Sequence, residues 1–168
     1  MERAPHPRVE VHMRRHSMSW LLACLTLLAS PFASLADDNK EVILVIANKG
    51  VATAAMSRDD LRPIFQTKKN AWPDGSVLRA FNLPGTDSVR HGFDAAVLGL
   101  DPDRVARYWI DRKIQGGDRP PVNAPSNALM VKMVGKTPGA IGYVDSKSAL
   151  DANVKVIAKI VNGQVHTP

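Results

Sequence analysis

The run Glu41-Val-Ile-Leu-Val-Ile-Ala47 is apolar after its first residue, rich in β-branched side chains and free of polar alternation. That pattern belongs to a strand covered on both faces, and it predicts the central strand of a sheet. Ser57-Arg-Asp-Asp60 then has the form of a capping box, with Leu61, Ile64 and Phe65 at helical spacing behind it. Pro63 is tolerated there because it falls within the first two turns. Trp72-Pro-Asp-Gly-Ser76 predicts a turn into a second strand, Val77-Leu-Arg-Ala-Phe81.

Asn82-Leu-Pro-Gly-Thr-Asp-Ser88 follows as a tight loop. Val89, Phe93, Ala96, Val97 and Leu100 continue it as an amphipathic helix closed at Gly99. Asp101-Pro102 restarts a helix whose packed face is expected to carry Val105, Tyr108, Trp109 and Ile114, and Gly116-Gly117 ends it. Pro120-Pro121 forces extended chain. Ser126 caps a further helix through Leu129, Met130, Met133 and Val134, and Pro138-Gly139 turns into the apolar stretch Ala140–Val144. A last strand is expected at Val154–Val161. Strands and helices alternate without repeats or low-complexity linkers, so the expected architecture is one α/β domain with a central mixed sheet flanked by helices.

The first thirty-six residues change the picture of location. Arg14, Arg15 and His16, the apolar stretch Trp20–Ala29 and the small-x-small triplet Ser34-Leu-Ala36 together have the form of a secretion signal. Met13, directly ahead of the basic pair, offers a later start, on which reading Met1–His12 is upstream sequence. The lone Cys24 falls inside the apolar stretch, so Asp37–Pro168 is expected to be an exported, cysteine-free domain without a disulfide framework or cysteine-bound metal. Its roughly 130 residues suffice for one core. That portion holds 18 Lys and Arg against 14 Asp and Glu. The mild positive excess favours approach of anions. The basic residues are scattered and aromatics few, which gives nucleic-acid binding no support.

Chemistry concentrates at the loop before the third apolar segment. A Pro-Gly loop with hydroxyl residues at a helix start directs unpaired N–H groups and the positive end of the helix dipole at one spot, a place that binds anions. Gly85, Thr86, Asp87 and Ser88 form it, and Arg79 before it and Arg90 after it add guanidinium groups suited to oxyanions. The same residues also serve as ordinary turn punctuation followed by an N-cap. Catalysis has little to stand on. The exported portion has only His91 and His166, with no nucleophile, base and orienter at recognisable spacing and no metal motif.

Ser57-Arg-Asp-Asp-Leu-Arg-Pro-Ile-Phe65, Lys69-Asn-Ala-Trp-Pro-Asp-Gly75, the Arg79…Gly85-Thr86 loop and Pro138-Gly-Ala-Ile-Gly-Tyr-Val144 together resemble the phosphate-binding proteins of ABC transporters. The resemblance runs in order along nearly all of Asp37–Pro168. It implies a type II periplasmic-binding-protein-like fold, in which two α/β lobes hold phosphate with helix N-termini, hydroxyls, an Arg and an Asp. It also implies that this chain carries one lobe, the second, with no counterpart of the first-lobe ligands. Arg79, Gly85 and Thr86 resemble the second-lobe Arg and Ser-Gly-Thr. Pro84 stands in the serine's place and the spacing is one residue longer, so Ser88 becomes the replacement hydroxyl, while Asp87 either caps the helix or repels an anion. The expected function is an exported, cofactor-free, non-enzymatic module for phosphate or a similar oxyanion, periplasmic and linked to transport or sensing. The alternative is an adaptor whose former cleft docks a membrane transporter or sensor.

Overall fold

The computed structural model describes residues 42–168, and the secretion-like segment Met1–Ala36 lies outside them. Strand β1 (Ile43–Asn48) is the buried run, beginning two residues later than the pattern predicts. Helix α1 (Arg58–Phe65) starts at the predicted box: Ser57 accepts from the Asp60 amide, and the Asp60 carboxylate accepts from the Ser57 amide at 2.9 Å. The Ser57 hydroxyl also donates to that carboxylate, and the two bonds together hold it below the usual carboxylate range. β2 (Arg79–Asn82) follows, then α2 (Ser88–Phe93), which runs on as a single wider turn over Asp94–Leu98 and stops at left-handed Gly99. Next come α3 (Pro102–Ile114), the two-residue β3 (Val122–Asn123), α4 (Asn127–Lys136), β4 (Ala140–Asp145), β5 (Val154–Val161) and β6 (Gln164–His166).

The six strands form one mixed sheet in the order β3-β2-β4-β1-β5-β6. β2 runs parallel to both β3 and β4, whereas β1 is antiparallel to β4 and β5. β1 is therefore an inner strand, as its composition demands. Alternation along β4 sends consecutive side chains to opposite faces. Tyr143 on one face stacks on Phe93 of α2 at 3.7 Å between centroids, and Phe65 of α1 meets the edge of Phe93 at 4.5 Å. Gly142 on the other face lies under Met130 and Val134 of α4, so close that an added Cβ would stand 2.4 Å from the Met130 sulfur. Helices thus cover both faces, and the α/β class with a mixed central sheet is the observed one.

Two short elements escape the hydrophobic pattern. β3 and β6 are too brief to show a period, although Asn162-Gly163, with φ of 52° and 72°, is the hairpin signal that joins β5 to β6. Val77, expected in the second strand, is 58% exposed and makes only an isolated bridge to Ala71.

Thr67, one residue beyond the C-cap of α1, adopts φ 56°, a left-handed conformation that a β-branched side chain disfavours and glycine accepts freely. Thr67→Gly is expected to raise stability by about 0.5–1 kcal/mol, the left-handed penalty removed less the extra entropy glycine loses on folding. Urea denaturation measures it, and a destabilised variant would contradict this reading.

Candidate functional site

The loop between β2 and α2 is built from its ends inward. Asn82 closes β2 with its carbonyl accepting from the Ala124 amide at 2.7 Å, so the loop leaves the sheet beside the chain that enters α4. Pro84-Gly-Thr-Asp87 is a turn closed by the Asp87 amide on the Pro84 carbonyl at 3.0 Å. Asp87 then caps α2, its carboxylate accepting from the Val89 amide at 2.9 Å. Gly85, Thr86 and Ser88 are exposed at the tip. The Gly85 and Thr86 amides have no hydrogen-bond partner among the described residues, which leaves two backbone donors open beside a helix start. His91, one turn into α2, sets a ring nitrogen 2.7 Å from the Gly85 carbonyl and ties the turn down onto the helix.

Behind the loop lies a buried polar group of four side chains. Arg90 is 6% exposed; its Nε donates to Asp94 at 2.6 Å and its Nη1 to the Leu83 carbonyl at 2.8 Å. The Tyr143 hydroxyl donates to the Asn82 side chain and accepts from the Leu83 amide, each at 3.3 Å. Leu83 is thereby held through both its amide and its carbonyl. Burial pushes the Asp94 carboxyl up against the opposing pull of Arg90, and burial likewise pushes the Tyr143 phenol up, so it remains a neutral donor. The loop's entry is fixed by groups that water does not reach.

The six predicted residues divide. Gly85, Thr86, Asp87 and Ser88 share the loop. Arg90 belongs to the framework beneath it, with its guanidinium engaged by Asp94 and Leu83 instead of facing the tip. Arg79 sits at the opposite end of β2, where its amide donates to the Gly139 carbonyl at 3.0 Å and its exposed side chain reaches the Pro138 carbonyl at 3.3 Å. Three residues of strand, about 10 Å, separate it from the loop's end. The structure does not bring Arg79 to the loop. The sequence reading gives Asn82, Asp94 and Tyr143 no role at the site. The i,i+4 spacing of Arg90 and Asp94 was a signal for the first pair, whereas the Asn82–Tyr143 contact spans 61 positions and had none.

The Pro138-Gly-Ala-Ile-Gly-Tyr-Val144 motif acquires a structural meaning. The Gly139 carbonyl accepts both the Arg79 amide and the Trp72 indole N–H, the latter at 2.9 Å. Gly142 admits α4 to the sheet, and Tyr143 holds the loop. Among the described residues, no group of three or more His, Cys, Asp or Glu is placed to hold a metal ion.

Three solved structures share this fold. An ABC-type phosphate transport receptor from Vibrio cholerae superposes with a TM-score of 0.55 at 16% identity, over 70% of this chain and 45% of the receptor. A putative phosphate ABC transporter substrate-binding protein from Clostridium perfringens, solved with bound phosphate, gives 0.56 at 15% identity, over 70% of this chain and 44% of its own. PstS from Borrelia burgdorferi gives 0.52 at 13% identity, with 70% and 46% covered. The chain therefore has the fold of a portion of phosphate receptors and spans less than half the length of each. No family model matches the sequence, and no curated protein matches it.

Proposed function

We propose that the chain is an exported module that binds phosphate or a similar oxyanion without covalent chemistry, in the service of phosphate transport or phosphate sensing. The observation that carries this reading is the exposed Gly85-Thr86 turn, two open amides and a hydroxyl at the start of α2, on a fold shared with receptors of which one was solved with phosphate. The Thr86 and Ser88 hydroxyls supply further donors, and the helix dipole adds to them. The Asp87 carboxylate, occupied as a cap, is the one anionic neighbour on the loop, and it favours a ligand that still carries a proton. Arg79 acts through its field and not by contact, while Arg90 keeps the loop in shape. A periplasmic location fits the secretion-like pattern of Met1–Ala36, and no described helix is long and apolar enough to cross a membrane.

Calorimetric titration with inorganic phosphate at low ionic strength is the test. Saturable binding is expected, weakened about tenfold or more by Thr86→Ala, the scale of one hydrogen bond to a charged ligand. Arg79→Ala should cost less, and its effect should fade as salt screens it. Absence of heat up to millimolar phosphate would overturn the receptor reading and favour a protein-docking role for the loop.

A further inference from the structure

Helix α3 packs only part of its expected face: Val105 is buried and Trp109 lies against the core, but Ile114 is exposed. Of its thirteen residues only Val105 is buried, although a helix covering a core commonly buries a stripe of three or four positions every two turns. Ile110 and Ile114, four residues apart on one face, are 57% and 78% exposed. Beside them a cavity of about 600 Å³ opens between the helix and the strap Gly117–Pro120, with Trp109, Ile110, Lys113 and Arg119 in its walls.

The polar groups on this surface are unmet in one sense only. The Trp109 indole N–H and the Arg112 Nε–H are buried and have no acceptor among the described residues. Buried donors in folded proteins are rarely left so. Asp118, the carboxylate in the cavity wall, is turned to Arg112 at 3.5 Å, while Lys113 and Arg119 have no carboxylate within ion-pairing distance among the described residues. The surface offers apolar side chains and an excess of positive charge, Arg112, Lys113 and Arg119 against the single wall carboxylate of Asp118.

We infer that the α3 face and the cavity beneath its strap dock an acidic, amphipathic peptide segment of a protein partner, one that brings an apolar side chain into the cavity and carboxylates to Lys113 and Arg119. The charge pattern selects this occupant. A second copy placed face to face would bring two surfaces of net positive charge together, and a bilayer surface is flat where this site is hollow. The inference is independent of the oxyanion reading, because it uses none of the loop residues from Leu83 to Ser88.

The test pans a random twelve-residue peptide library on the full chain and measures one enriched peptide, synthesised, by fluorescence polarisation. Peptides joining Asp or Glu to Leu, Phe or Trp are expected, with affinity reduced tenfold or more by Ile110→Ser/Ile114→Ser and by Lys113→Glu/Arg119→Glu. Both pairs are exposed or at the cavity rim, and an unchanged melting temperature shows that each variant remains folded. No enrichment, peptides without acidic residues, or equal binding by the variants would overturn the inference. So would self-association, or binding to phosphatidylglycerol vesicles, that the same substitutions abolish while peptide affinity stays unchanged.

Discussion

Gly139→Ala is expected to cost at least about 4 kcal/mol, among the largest effects of any single substitution. At φ 73° an added Cβ would lie 2.0 Å from the Val77 carbonyl oxygen, a backbone atom that cannot step aside without dragging the start of β2. The carbonyl of the same residue accepts from Trp72 and Arg79, so displacement strains three segments together. Gly75→Ala is the internal control. Gly75 has φ 81° and open space around the would-be Cβ, so that variant should lose only the left-handed penalty less the entropy glycine no longer costs, about 0.5–1 kcal/mol. Urea denaturation of both separates contact from conformation. Equal losses in the two variants would contradict the close approach of Gly139 to Val77.

Removal of the Arg90 guanidinium should rank next. Arg90→Ala leaves the buried Asp94 carboxylate without its paired guanidinium, a situation that costs about 3–5 kcal/mol at neutral pH. The sign of its pH dependence follows from Asp94. Burial already raises this carboxyl above its unfolded value, and loss of Arg90 removes the strongest opposing influence. An acid whose folded pKa lies above its unfolded one gives stability that is present at low pH and is lost as pH rises through the folded pKa. The deficit of Arg90→Ala relative to the parent should therefore be smaller at pH 5 than at pH 8, with Asp94→Asn in the Arg90→Ala background flattening the difference. A deficit that does not change with pH would mean that Asp94 is not the group left unpaired.

Much of the framework could be read from the chain, because its signals are local. Ser57, Asp87, Asp101 and Ser126 each cap a helix through a side-chain oxygen that accepts a backbone amide within the first turn, a contact confined to two or three residues. The β1 run announces its own burial. Misreadings arose where distant chain decides. Trp109 packs against the core as expected and the Tyr108 hydroxyl reaches the Gln66 carbonyl, whereas Ile114, at the end of the same helix, is 78% exposed, and no periodicity reports where a helix runs past its neighbours.

The site was legible as a loop and not as a constellation. Gly85-Thr86 at a helix start is a sequence feature. Whether a neighbouring Arg faces it depends on strand register and on buried partners: β2 pairs Arg79 with Ala140, which sends Arg79 to the far end, and Asp94 draws Arg90 inward. Arg90 joins the loop by proximity in sequence and Arg79 by proximity and by the family resemblance, and tertiary structure separates both from its tip. An anion held there depends more on amides, hydroxyls and the dipole than on direct ion pairing.

The most direct measurement is a phosphate titration followed by two-dimensional NMR on nitrogen-15-labelled protein. An oxyanion site at this loop predicts saturable shifts of the Gly85, Thr86 and Ser88 amides, lost in Thr86→Ala at the same phosphate concentration, with sulfate giving a weaker version of the same pattern. Unmoved loop amides at millimolar phosphate, or shifts centred on Arg79 or elsewhere in the fold, would contradict it.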